Sequence, residues 1–137
     1  MAVIQELIRL EDNGTISFGN YAMDEKKKVL DFDVDGDLYK VKTYNEITRL
    51  EKNGKLLYES VPGSTVHNFA MDDKTITFVI EAPEDTQITM ELEPEKEYKI
   101  LVDDMLVGRI RANLAGKVSF SVEISRDTHA IKIEKVN

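Results

Sequence analysis

Cysteine is missing from all 137 residues, so disulfides, thiolate-held zinc and cysteine nucleophiles are excluded together. Tryptophan is missing too, and with it a ring that stacks readily on a sugar face. Histidine occurs only as His67 and His129, far apart and without a carboxylate or second histidine at ligand spacing. Each reads as a surface or internally satisfied side chain rather than a metal ligand. No serine sits in a Gly-x-Ser-x-Gly turn, and no glycine-rich phosphate loop is present. Basic residues are outnumbered, 18 Lys and Arg against 26 Asp and Glu, for a formal charge of −8. Nucleic-acid binding is driven by clustered cations. The longest basic run, Lys26-Lys27-Lys28, follows directly on Asp24 and Glu25 and reads as a solvated turn. No apolar run approaches the ~20 residues that a membrane-crossing helix needs. Met1 to Leu7 lacks a basic segment followed by an apolar one, so we expect no leader and a cytoplasmic location.

Apolar residues at 42% and charged residues at 32% are a globular mixture, and the length suits one β unit over 1–137. A sub-boundary falls at Val61-Pro62-Gly63, dividing a hairpin-rich 1–60 from a seven-strand, sandwich-like 64–137. The dominant hydrophobic period is two. Lys28 to Val34 alternates, Asp35-Gly36 intervenes, and Asp37 to Lys42 alternates again, which is the signature of a two-residue hairpin with positive φ at both loop positions. That register sets Phe32 opposite Tyr39, Leu30 opposite Val41 and Asp31 opposite Lys40. Arg9-Leu10-Glu11-Asp12-Asn13-Gly14 and Arg49-Leu50-Glu51-Lys52-Asn53-Gly54 match at five of six positions. A three-residue loop suits both, setting Leu10 against Ile16 and Ile8 against Phe18 in the first. In the second it sets Leu50 against Leu56 and Glu51 against Lys55. A helix from an Asn45 cap to Gly54 is the rival for the second copy.

After the break the spacing predicts strands at Thr65–Phe69, Thr75–Glu81, Gln87–Leu92, Tyr98–Val102, Leu106–Arg111, Lys117–Ile124 and Ala130–Val136, with Pro83 and Pro94 between them. The expected fold is therefore all-β, an antiparallel β-sandwich with little helix. A helical turn or two is allowed only around Val3–Ile8 and at Asp24–Lys28.

Leu92-Glu93-Pro94-Glu95-Lys96-Glu97-Tyr98 resembles the Leu-x-Pro-x-x-x-Tyr corner of fibronectin type III and immunoglobulin-like modules. The resemblance implies an immunoglobulin-like arrangement in the C-terminal half, with the Tyr98 ring packed inside and its hydroxyl on nearby backbone. Ala115 to Val122 looks like the late strands of such modules where they accompany bacterial glycosidases and lyases. The buried Trp of antibody domains has no counterpart here. Ser17-Phe18-Gly19-Asn20-Tyr21, Tyr58-Glu59-Ser60-Val61-Pro62-Gly63 and Asn113–Val122 resemble short bacterial proteins loosely labelled endosialidase-like. That resemblance brings no activity with it. The chain is too short for a propeller, and Asp12-Asn13-Gly14-Thr15-Ile16 lacks the leading Ser and closing aromatic of a sialidase box. Arg9, Arg49, Arg109, Arg111 and Arg126 include no triad marked out to grip a sialate carboxylate.

Asp31, Asp33, Asp35 and Asp37, with Gly36, imitate positions 1, 3, 5, 7 and 6 of a calcium-binding EF-hand loop. The twelfth position is Lys42 where a bidentate Glu belongs, and Phe32 and Val34 alternate as a strand should. These four carboxylates are the candidate metal site, weighed against a solvated hairpin edge, which the pattern favours. Glu91, Glu93, Glu95 and Glu97 alternate around a loop and read as a hydrated edge rather than a glycosidase pair. No catalytic residue and no cofactor is expected.

The expected function is a non-enzymatic β-sandwich that binds a protein partner or itself, a homo-oligomer joined through strand edges. Ala130–Val136 is the edge singled out for this, because it alternates Ile with Lys or Glu near the chain's end. An accessory carbohydrate-binding module is the alternative. Its aromatic platform would have to come from Tyr21, Tyr39, Tyr44 and Tyr58, with Tyr39 already assigned to the core.

Overall fold

A computed structural model describes residues 2–136. Thirteen strands and no helix are present among them: β1 (Ile8–Leu10), β2 (Ile16–Phe18), β3 (Lys27–Val34), β4 (Asp37–Thr43), β5 (Thr48–Lys52), β6 (Lys55–Val61), β7 (Thr65–Met71), β8 (Thr75–Glu81), β9 (Thr86–Glu91), β10 (Glu97–Val102), β11 (Met105–Arg111), β12 (Lys117–Val122) and β13 (His129–Val136). They form two antiparallel sheets packed as a sandwich. One has the order β1-β2-β7-β8-β13-β10-β11, the other β12-β9-β6-β5-β4-β3. Seven strands follow Gly63, within two residues of their predicted bounds, but they are shared between both sheets. The β2–β7 and β6–β9 ladders cross the 61–63 point. Neither short helix forms: Leu7 closes a tight turn onto the Ile4 carbonyl, and Asp24–Lys28 bends into β3.

The period-two pattern sends one side of each strand into a shared core. Tyr58 of β6 meets Phe18 and Phe78 of the opposite sheet edge-to-face, at centroid separations of 5.3 and 5.6 Å. Phe69 stacks on Phe78 behind them. Such a cluster stabilises by area and by ring geometry together. One end of the core is closed by hydroxyls. Thr48 Oγ1 donates to the Ser64 carbonyl and accepts from the Ser64 amide, while Ser64 Oγ meets Tyr58 Oη at 2.7 Å and Ser60 Oγ at 2.6 Å. Burial without a charged partner pushes the Tyr58 phenol up to about 12.

The first Asn-Gly copy folds in the expected register, Leu10 opposite Ile16 and Ile8 opposite Phe18. The second does not. Asn53 and Gly54 both have positive φ and form a two-residue turn, with Lys52 opposite Lys55, Glu51 opposite Leu56 and Leu50 opposite Tyr58. A bulge at Leu57 absorbs the shift and buries Leu56 and Leu57 together. Asn53 is also tied sideways to β4, donating its amide N–H to the Leu38 carbonyl and accepting the Leu38 N–H on Oδ1. That lateral anchor overrides the loop preference of the six-residue motif and excludes the helical rival. The Asp35-Gly36 hairpin turns as read, with Phe32 opposite Tyr39. Beyond Phe32, however, a bulge at Leu30–Asp31, with Asp31 at φ 54°, sets Val29 rather than Leu30 against Val41. Lys40 consequently pairs with Glu51 of β5, not with Asp31.

The Leu-x-Pro corner behaves as its motif implies. Tyr98 is buried and its hydroxyl accepts the Glu93 N–H at 3.1 Å. The expectation for the last strand is overturned: β13 lies between β8 and β10 and is paired along both sides. Its Ile residues are core and its alternating charges face solvent, the pattern of a half-buried interior strand as much as of an edge. The outer strands are β1 and β11 in one sheet, β12 and β3 in the other.

Candidate functional site

Where β11 ends the seven-stranded sheet, its neighbour across the sandwich is β12, and no ladder joins them. The open seam holds a groove of about 340 Å³ lined by Val102, Met105, Val107 and Val122 together with polar groups that include Asp103, Arg126 and His129. Two features of the sequence build it. Asp103-Asp104, both at positive φ, make the two-residue turn that sends the chain from β10 into β11. A bulge at Val107 then breaks the alternation, so Met105, Leu106 and Val107 are 70%, 56% and 59% exposed in succession.

The turn is strained, since aspartate tolerates a left-handed conformation but does not prefer it. It is held from β13. Asp103 Oδ1 accepts the Ala130 N–H at 2.8 Å, and its own N–H reaches the Ala130 carbonyl at the same distance. Its Oδ2 lies 2.7 Å from His129 Nδ1. The His129 contact, then the Ala130 amide, hold the Asp103 carboxyl below the usual carboxylate range. His129 is 3% exposed, and its Nε2 accepts the Ser125 backbone N–H at 3.0 Å. That acceptor role makes Nδ1 the protonated nitrogen. The ring therefore ties the β10–β11 hairpin to the connection between β12 and β13.

An Asp–His pair beside serines invites comparison with a nucleophilic triad. In a triad the distal nitrogen must accept a hydroxyl proton. Here that lone pair is spent on a backbone amide, so the pair positions loops and does not supply a base. Sequence reading missed it because Asp103 and His129 are 26 residues apart and meet only through the β10–β13 ladder. The readable hint was the apolar run Met105-Leu106-Val107, which departs from period two.

The other histidine is also buried and satisfied. His67 Nε2 lies 3.3 Å from Glu81 Oε1, and Tyr21 Oη donates to Glu81 Oε2 at 2.8 Å. Burial first, then this bond to the carboxylate, pushes the Tyr21 phenol up to about 12. The four aspartates are strung along the β3–β4 hairpin. Asp33 Oδ1 accepts the Gly36 N–H, and Asp37 is held by Asn53 and Lys52. No cluster of three or more potential ligands from His, Asp and Glu occurs among the described residues. Of the four tyrosines considered for a sugar platform, Tyr39 and Tyr58 belong to the core, and Tyr44 is turned onto Glu46. Arg9 and Arg49 lie in different sheets, each held by glutamates. No helix among the described residues is long and apolar enough to cross a membrane.

Compared with protein-family models, curated proteins and solved structures, the chain matches none of them. The functional reading therefore rests on this molecule's own surfaces.

Proposed function

We propose that the chain is a non-enzymatic assembly unit, a β-sandwich that joins a second copy of itself through the β11 edge. One observation carries this: three consecutive apolar side chains stand more than half exposed on a strand with one side unpaired. Edge strands carry free N–H and C=O groups and are normally guarded against pairing. The other three edges lack such an apolar run. β1 has three residues. β3 begins with Lys27 and Lys28 and is bent by its bulge. β12 presents Ser119 and Ser121. β11 alone opens with an apolar run.

A second copy is the favoured occupant because this edge is acidic at Asp104, in the turn just before β11, and basic at Arg109 and Arg111, as developed below. Light scattering at tens of micromolar should give a mass above the monomer's 15.6 kDa. Assays with polysialic and other glycoside substrates should show no turnover, and a glycan array no binding. Turnover would overturn the non-enzymatic reading; saturable glycan binding without self-association would replace assembly by the carbohydrate-binding alternative.

A further inference from the structure

We infer that two copies pair antiparallel along β11, about a two-fold axis near Val107 and Gly108, with Asp104 of each copy meeting an arginine at the end of the other's strand. This rests on the assembly reading and specifies its geometry. The edge is acidic just before the strand begins, at Asp103-Asp104 in the β10–β11 turn, and basic where the strand ends, at Arg109 and Arg111. Parallel pairing would set like charges together. Antiparallel pairing sets each acidic start beside the partner's basic end, twice by symmetry. The groups are free to do so. Asp104 is exposed and has no ion-pair or hydrogen-bond partner among the described residues, whereas Asp103 is committed to His129 and Ala130. Arg109 makes only a long 3.4 Å contact with Glu97, and Arg111 uses one nitrogen on the Glu95 carbonyl. Both guanidinium groups keep further donors.

Gly108 is the second observation. Its φ is not in the left-handed region, and a Cβ built there would meet nothing within 4 Å. Nothing inside this chain requires glycine at that position, and glycine weakens a strand interior. Its place in the middle of an unpaired edge is where a partner's backbone would cross, and close approach of another backbone is a recognised reason for a strand glycine.

The test uses charge exchange in the intact chain. Asp104→Arg alone and Arg111→Asp alone should each weaken dimerisation at least tenfold, since each sets two like-charged pairs across the axis. A one-to-one mixture of the two variants should restore a dimer, because every cross-pair then has opposite signs. Gly108→Val should keep the circular dichroism spectrum and melting transition of a folded protein while losing the dimer, which separates interface damage from misfolding. A wild-type dimer indifferent to all three changes would overturn this geometry and leave assembly standing. A wild-type monomer at tens of micromolar would overturn both.

Discussion

Tyr98 shows how much one hydroxyl decides at the residue scale. Its ring fills core volume beside the β9–β10 corner while its oxygen accepts the Glu93 N–H. Tyr98→Phe keeps the ring and orphans that donor, so we expect a loss of about 1 kcal/mol, read as a lower urea midpoint with unchanged slope. An unchanged midpoint would mean that water replaces the bond without cost.

Asp103 is the residue-scale case for pH. Its carboxyl is held below its ordinary range by His129 and Ala130. A group whose folded pKa is depressed contributes stability that is fully present above its unfolded value and is lost as pH falls through the folded one. Melting temperature should therefore fall on acidification below about pH 4, the ordinary carboxylate range. Asp103→Asn should lower the neutral-pH value and flatten that acid limb. Equal acid slopes in wild type and variant would show that other carboxylates carry the effect.

At the scale of elements, two glycines with the same empty surroundings separate backbone strain from packing. A Cβ at Gly36 or at Gly108 meets nothing within 4 Å. Gly36 has φ +90° in the β3–β4 turn, and Gly108 lies in strand conformation. Gly36→Val should cost about 1–2 kcal/mol through the turn alone, because a β-branched residue resists positive φ. Gly108→Val should leave the monomer as stable as before or slightly more so. Chemical denaturation of the pair, at concentrations where the wild type is monomeric, distinguishes them, and equal losses would contradict this contrast. The same hairpin carries the calcium-like aspartates. With Asp33 bound to Gly36 and Asp37 to Lys52 and Asn53, calcium titration should not move the melting temperature. A saturable rise would revive the ion site.

On the scale of the whole molecule, the aromatic cluster and the two ladders across residues 61–63 join both halves of the chain in one interior. Unfolding should be a single transition, coincident by far-ultraviolet circular dichroism and tyrosine fluorescence. Two separated transitions would show that the halves have independent cores.

What the sequence determined by itself was local. Period-two alternation, Asp35-Gly36 and the placement of Pro83 and Pro94 marked most strands and turns, because side-chain alternation and φ preference act over two to four residues. The Leu-x-Pro-x-x-x-Tyr spacing likewise located a buried tyrosine, since its contacts lie within one corner. What only the tertiary structure decided was which strands are neighbours. The Asn53 turn was shortened by its bonds to β4, and Leu30 lost its place opposite Val41 to a bulge. β13 looked like an edge until β8 and β10 enclosed it, and β11 became the open edge in its stead. The Asp103–His129 tie follows from that same pairing. Ladder partners are chosen by burying all the apolar faces at once, and no stretch of a few residues contains that sum.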